Sequence, residues 1–228
     1  MNYILGLDDT DNLESRGTGH LARELAKALA QDFDVHGVTR HQLLEDPRVP
    51  KTAKNSCAAI LFSGDEFPLD ELAGFARQFM LNDFQPGSDP GLCVATNVPD
   101  EIITYGKRVQ REFITQKMPR ALANQHGVFL EGLGGDEDGV IGALAAVGLA
   151  ASGSDGRYVQ VGTIRSLVGL LPPVDILAAG ITTVKTLDGV DVTTGLINTE
   201  KMRPARRDGQ PILFVEKDGD VWQPLKLD

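Results

Sequence analysis

Apolar and polar positions along this chain fall into two periods, and the switches between them mark out its elements. Asn2 to Leu7 (NYILGL) is a short apolar run that reads as a buried strand, and it stops at the acidic stretch DDTDNLESRGTG. Leu21, Leu25, Ala28 and Leu29 then recur at helical spacing, with Arg23, Glu24 and Lys27 off that face, so an amphipathic helix is expected. Thr18 stands just before it, placed to cap it. Phe33 to Gln42 and Cys57 to Ser63 read as strands separated by a polar loop, EDPRVPKTAKN. Leu69 to Leu81 suggest a second helix, FQPGSDPG a loop, and Leu92 to Asn97 a strand. A helical pattern runs from Asp100 to Leu122 and breaks near Met118-Pro119. The Gly-rich acidic loop EGLGGDEDG leads into a helix of small residues, VIGALAAVGLAAS, and Tyr158 to Arg165 looks like a strand.

Beyond Arg165 the composition shifts to Gly, Pro, Thr and Val, with several short strands and a hairpin signal at Lys217-Asp218-Gly219-Asp220. This mixed order of strands and helices predicts an α+β protein. Residues 1–165 are expected to form one module, with residues 166–228 a strand-rich segment packing on it.

Composition changes the picture in three ways. A chain of 228 residues that is 42% hydrophobic can bury an ordinary core without a staple. The two cysteines, Cys57 and Cys93, sit in apolar runs and read as buried free thiols, and no Cys/His cluster offers a zinc site. No apolar run reaches the roughly 18 residues that span a bilayer, and the N-terminus is not a signal peptide, so a cytoplasmic protein with no membrane contact is expected. The formal net charge of -10 argues against a general nucleic-acid-binding surface, which gains affinity by exchanging counterions for Lys and Arg. Arg203, Arg206 and Arg207 are a candidate local basic patch, with a solvated loop the favoured reading.

The candidate chemistry starts at the first acidic loop. Asp8, Asp9 and Asp11 crowd into four positions at the end of a hydrophobic strand, with Thr10 among them. Such crowding costs Coulomb energy unless a positive charge sits there. A hard divalent cation with nucleotide phosphates would supply it. Gly17-Thr18-Gly19 then leads into a helix start, where free N–H groups and the helix dipole attract phosphate. Together these make a phosphate–metal cradle without a Walker motif. His20 reads first as a first-turn surface residue, with contact to such a phosphate the lesser alternative. Thr18 reads either as a cap or as a hydroxyl beside the phosphates. Lys51, Thr52, Lys54 and Asn55, in a loop before a buried strand, could neutralise or hydrogen-bond phosphates, or simply connect. Asp136 and Asp138 with their glycines precede the small-residue helix and form a third candidate element.

Three motifs in this order, GLDDTD followed by GTGHLA, then RVPKTAKN, then GVIGALAAVG, resemble the archaeal tRNA(Ile) agmatinylcytidine synthetase family, in its N-terminal kinase-like and ferredoxin-like domains. YVQVGTIR and GQPILFV add to the likeness. The resemblance implies a kinase-like α/β module interlocked with a ferredoxin-like one, using ATP and Mg. It implies that Asp8, Asp9 and Asp11 hold Mg and phosphates, that Thr18 matches the family's phosphorylated threonine, and that Lys51, Thr52 and Asn55 match its nucleotide-contacting loop. The family's GMCTTYLA-like stretch reads RGTGHLA here, and its KTRGN reads KTAKN. The family continues into an OB fold and zinc ribbon that grip tRNA, beyond the point where this sequence stops. The expectation is therefore an ATP- and Mg-dependent phosphoryl-transfer or substrate-activating enzyme with a small-molecule acceptor. Transfer RNA would be reached only through a separate partner, and a nucleotide sensor without turnover is the rival from another class.

Overall fold

The computed structural model describes residues 1–49 and 54–227. The chain divides into two compact units, Met1–Ser152 and Gly153–Asp228. It is an α+β protein, as the order of elements predicts.

The first unit is built on five strands: β1 (Asn2–Asp8), β2 (Asp34–Gln42), β3 (Ser56–Ser63), β4 (Gly91–Ala95) and β5 (Phe129–Gly132). They pair in the order β5-β4-β1-β3-β2, every pair antiparallel. β1 sits in the middle, and a central strand is covered on both faces. Its alternation divides the core. Tyr3, Leu5 and Leu7 point to one face, where Tyr3 stacks on Phe62 and meets Phe33 edge-on just beyond helix α1 (Thr18–Leu29). Leu21, Ala22, Leu25, Ala26 and Leu29 form the buried stripe of α1, and each fully buried Leu contributes roughly 1.5–3 kcal/mol. Helix α2 (Leu69–Asn82) packs on β4 and β5.

The other face of β1 carries Gly6 and Asp8, and against it lies α5 (Gly139–Ala151), a helix buried almost all round. Its small residues serve backbone-to-backbone packing. A β-carbon at Gly91 of β4 would come within 2.1 Å of the Gly139 backbone, so only glycine lets the helix start this close to the sheet. Helix α3 (Asp100–Val109) covers α5 from outside, its Tyr105 hydroxyl donating to the Ile141 carbonyl at 3.0 Å.

One expectation is corrected here. The helical pattern from Asp100 to Leu122 is interrupted at 110–116, not near Pro119. Pro119 lies in the first turn of α4 (Lys117–His126), where a missing N–H leaves no helical bond unmade.

In the second unit, β6 (Arg157–Gln160), β10 (Ala205–Arg207), β11 (Gln210–Asp218), β12 (Val221–Pro224), β9 (Leu196–Asn198) and β7 (Leu170–Leu171) pair in that order. β8 (Thr183–Lys185) pairs in parallel with β11, and a short helix, α6 (Pro173–Ala178), lies between β7 and β8 in sequence. The expected strand at 158–165 is shorter than its apolar run: β6 ends at Gln160 and a 3-10 turn takes Ile164–Ser166. The hairpin signal is real, with Asp218 opposite Val221 across Gly219 and Asp220. Cys57 and Cys93 are buried free thiols. Among the described residues no helix is long and apolar enough to cross a membrane.

Candidate functional site: a carboxylate pocket at one end of the first sheet

Antiparallel pairing brings distant stretches to one end of the five-stranded sheet. Asp8 is opposite Gly91, Gln42 is opposite Ser56, and Gly91 is opposite Gly132. A pocket of about 230 Å³ opens across these strand ends. Asp8, Asp9, Asp11, Asp89 and Asp138 line it with Thr18, Lys54 and Asn55, and so do the apolar side chains of Leu43, Leu44, Val49, Val109, Phe113 and Ile114. Asp8 ends β1, whereas Leu43 and Leu44 follow β2, two strands away in the sheet order. The strand ends that carry Asp8 and lead to Leu43 are thus two strand spacings, about 10 Å, apart.

The electrostatics at the carboxylate end are severe. The Asp8 carboxyl, ordinarily near 3.8, is pushed up to about 8, chiefly by burial and next by the Asp9 charge. That of Asp9 is pushed up to about 6, again chiefly by burial and next by Asp89 and Asp11. Asp9 also holds a left-handed backbone with φ of 49°, which costs a non-glycine residue roughly 1–2 kcal/mol. Space for the Asp8 carboxylate comes from Gly142 of α5, where a β-carbon would lie 1.7 Å from Asp8 Oδ2.

Thr18 is not a cap. It is the first residue of α1, Gly17 holds the cap position, and no side chain caps the helix. The buried Thr18 hydroxyl instead donates to Asp11 Oδ1 at 3.0 Å and accepts from the Thr10 hydroxyl at 3.1 Å. Capping chemistry lost because the Asp11 carboxylate offers a stronger, charge-assisted partner. Thr10 is thus buried beneath the pocket rather than lining it. Gly17 lies beside Asp11, with space for a β-carbon 3.7 Å from its Oδ2.

Of the other expected site residues, Asn55 lines the pocket, its amide donating to the Leu44 carbonyl at 2.7 Å. His20 does not: its ring nitrogens meet Arg16 at 3.0 Å and Arg23 at 3.2 Å. Asp136 is exposed and outside the pocket; its N–H donates to Asp89 Oδ1 at 2.7 Å. Asp138 lines it, and its carboxylate accepts from Gln116 Nε2 at 2.6 Å. Lys51 and Thr52 lie outside the described residues.

The glycine-rich loop before α5 is closed on itself. The N–H groups of Gly139, Val140 and Ile141 go to the carbonyls of Asp89, Glu137 and Asp138. At the start of α1 the His20 N–H likewise goes to the Gly17 carbonyl, at 2.7 Å. Sequence reasoning missed Asp89 and the apolar wall from Val109 to Ile114. Only the β1–β4 pairing brings Asp89 near Asp9, and no local pattern carries that signal.

The donor set is hard oxygen. Among the described residues no group of three His, Cys, Asp or Glu side chains stands ready to hold a metal ion. Mg²⁺ does not need one, since it keeps several waters and takes one or two carboxylates together with phosphate oxygens. Asp8 and Asp9, adjacent half-buried carboxylates at the pocket, fit that role.

Comparison by sequence matches no protein family and no curated protein. Comparison by structure gives a clear fold. A tRNA fluorescent labelling enzyme matches with a TM-score of 0.58 and 21% identity, covering 65% of this chain and 36% of that one. TiaS in complex with an isoleucine tRNA and ATP gives the same figures. Apo TiaS, an agmatidine synthetase acting on that tRNA, matches with a TM-score of 0.54 and 20% identity. The match covers 35–36% of these longer neighbours. The fold is TiaS-like, and at this identity the likeness speaks for the fold alone.

Proposed function

We propose that the pocket binds ATP with Mg²⁺ and that the chain is a phosphoryl-transfer or substrate-activating enzyme. The observation that carries this reading is one pocket joining crowded carboxylates at one end to apolar side chains at the other. That is the profile of a nucleoside triphosphate with its cation. Mg²⁺, when bound, would neutralise the phosphate charge that the carboxylates alone would repel. Asp8 and Asp9 would hold the cation, and Asp11 would orient the Thr18 hydroxyl. The start of α1 and Lys54 would face the phosphates, while Leu44 and its neighbours exclude water from the other end. Positioning and electrostatics are then the whole of the chain's contribution. The solved TiaS complexes, one with isoleucine tRNA and ATP and another with the same tRNA, AMPCPP and agmatine, support nucleotide use at this fold.

The acceptor in this reading is a small molecule, given the net charge of -10. A second reading, favoured by the tRNA in those complexes, keeps a tRNA cytidine as acceptor with a separate RNA-binding partner.

Calorimetry with ATP, with and without Mg²⁺, tests the site, and product analysis separates ADP from AMP with pyrophosphate. Asp9→Asn should weaken Mg-dependent ATP binding roughly tenfold, about 1.4 kcal/mol. Unchanged affinity in that variant would sink the proposal. Submicromolar tRNA binding by the isolated chain at ~150 mM salt would move the acceptor to RNA.

A further inference from the structure

The apolar end of the pocket carries an aromatic side chain, Phe113. Phe113 follows α3 and is 44% exposed, unlike the neighbouring Val109 and Ile114, which are buried. Phe113 therefore presents open ring surface at the pocket wall. Its partner is a cation. The Arg48 guanidinium carbon lies 4.8 Å from the ring centroid.

Arg48 is not there by chance of a flexible side chain. Its Nε and one terminal nitrogen each donate at 2.8 Å to the two carboxylate oxygens of Asp46, and its own N–H donates to Asp46 Oδ1 at 2.9 Å. This fork fixes the guanidinium plane, and the paired arginine holds the Asp46 carboxyl down to about 2. Asp46 therefore orients Arg48, and Arg48 backs Phe113. Both Arg48 and Phe113 line the same pocket as Asp8 and Asp9.

Building on the nucleotide reading above, we propose that Phe113, backed by Arg48, is the platform on which the base of the nucleotide stacks. The platform selects a planar heteroaromatic ring by its π-face. Because Phe113 and the carboxylates line one pocket of about 230 Å³, a nucleotide whose phosphates sit at Asp8 and Asp9 places its base towards this wall. Stacking of this kind tolerates different bases, because every base has a π-face. The subsite therefore distinguishes nucleotides from bare phosphates, and purines, with the larger face, from pyrimidines, but adenine from guanine only weakly.

The test compares two probes on the full chain by calorimetry with Mg²⁺: ATP and inorganic tripolyphosphate. Phe113→Ala should weaken ATP roughly tenfold and leave tripolyphosphate within about twofold. Phe113→Tyr should restore ATP binding, since it keeps the ring. GTP should follow ATP in all three proteins. Equal ATP affinity in Phe113→Ala and the parent chain overturns the platform, as does a parallel loss of both probes, which would mean that Phe113 only supports the fold. A parent chain that binds ATP no better than tripolyphosphate leaves the base without a subsite and also overturns it. A parent chain that binds neither probe rejects the nucleotide reading itself, and the platform with it.

Discussion

Gly142 and Asp8 occupy the same space except for one β-carbon: a methyl group built at Gly142 would sit 1.7 Å from Asp8 Oδ2 and 2.9 Å from its Cβ. The glycine of α5 is therefore a condition for the position of the carboxylate at the end of β1. Sheet and helix together hold an acid in a place where burial alone would favour its protonated form.

Gly142→Ala is the substitution that reads out this relationship. In a helix interior Ala gains roughly 0.5–1 kcal/mol over Gly, whereas overpacking a tight contact costs typically about 1–3 kcal/mol. Because the collision includes the Asp8 β-carbon, rotating the carboxylate away does not relieve it. The expected result is a net loss of about 1 kcal/mol in denaturant unfolding, with Mg-ATP binding weakened roughly tenfold. A more stable variant with unchanged binding would show that Asp8 tolerates a different place.

Stability should fall as pH rises, opposite to a protein whose carboxylates are paired. Asp8 and Asp9 have folded pKa values raised from 3.8 to about 8 and about 6, each chiefly by burial. Between the unfolded and folded values the native chain holds more protons than the unfolded one. Their contribution is therefore most favourable below about pH 4 and is lost progressively as pH climbs towards about 8. The denaturant midpoint of the ligand-free chain should drop between about pH 5 and about pH 8.5, and Asp8→Asn should flatten the drop. A midpoint that climbs over this interval would mean that the two carboxylates are stabilised as anions in the free protein.

The local parts of this fold were legible and the assembly of the pocket was not. β1, α1 and α5 follow their apolar patterns to within a residue or two, because a buried strand and an amphipathic or all-buried helix must show their period in the sequence. The acidic loop at 8–11 was legible for a similar reason, since three carboxylates at a strand end are an unusual local cost. Asp89 was not, because its relation to Asp9 depends on β4 pairing with β1, a register set by the whole sheet. Phe113 was hidden inside a helical pattern that continues in composition but not in backbone. Thr18 stayed open between a cap and a hydroxyl beside the phosphates, because Thr before an apolar stripe has the look of a cap until Asp11 is seen to hold its hydroxyl. Asp136 and Asp138 read alike in sequence, yet only Asp138 lines the pocket; Gln116 donates to the Asp138 carboxylate and to the Asp136 carbonyl, and the Asp136 N–H turns to Asp89.

Thr18 offers the sharpest separation of a structural from a chemical role. Its hydroxyl is buried and spans Asp11 and Thr10. A capping threonine would accept asparagine without loss. At this buried first-turn position asparagine is too large and cannot repeat both bonds, so Thr18→Asn should cost at least about 1 kcal/mol. Thr18→Ser keeps the hydroxyl and gives up one methyl, about 0.8 kcal/mol. Thr18→Val keeps the shape but leaves the Thr10 hydroxyl without its acceptor, for roughly 1–3 kcal/mol. If the hydroxyl also receives phosphate, its bond to the Asp11 carboxylate is the arrangement that would take up the proton. Serine would then retain turnover, while valine and asparagine would abolish it beyond what their stability explains. Incubation with labelled ATP followed by peptide mapping should locate the label on residue 18 in the parent and the serine variant. Full turnover by Thr18→Val, or no label at residue 18 during turnover, would leave Thr18 as a buried hydroxyl that ties Asp11 to the start of α1 and nothing more.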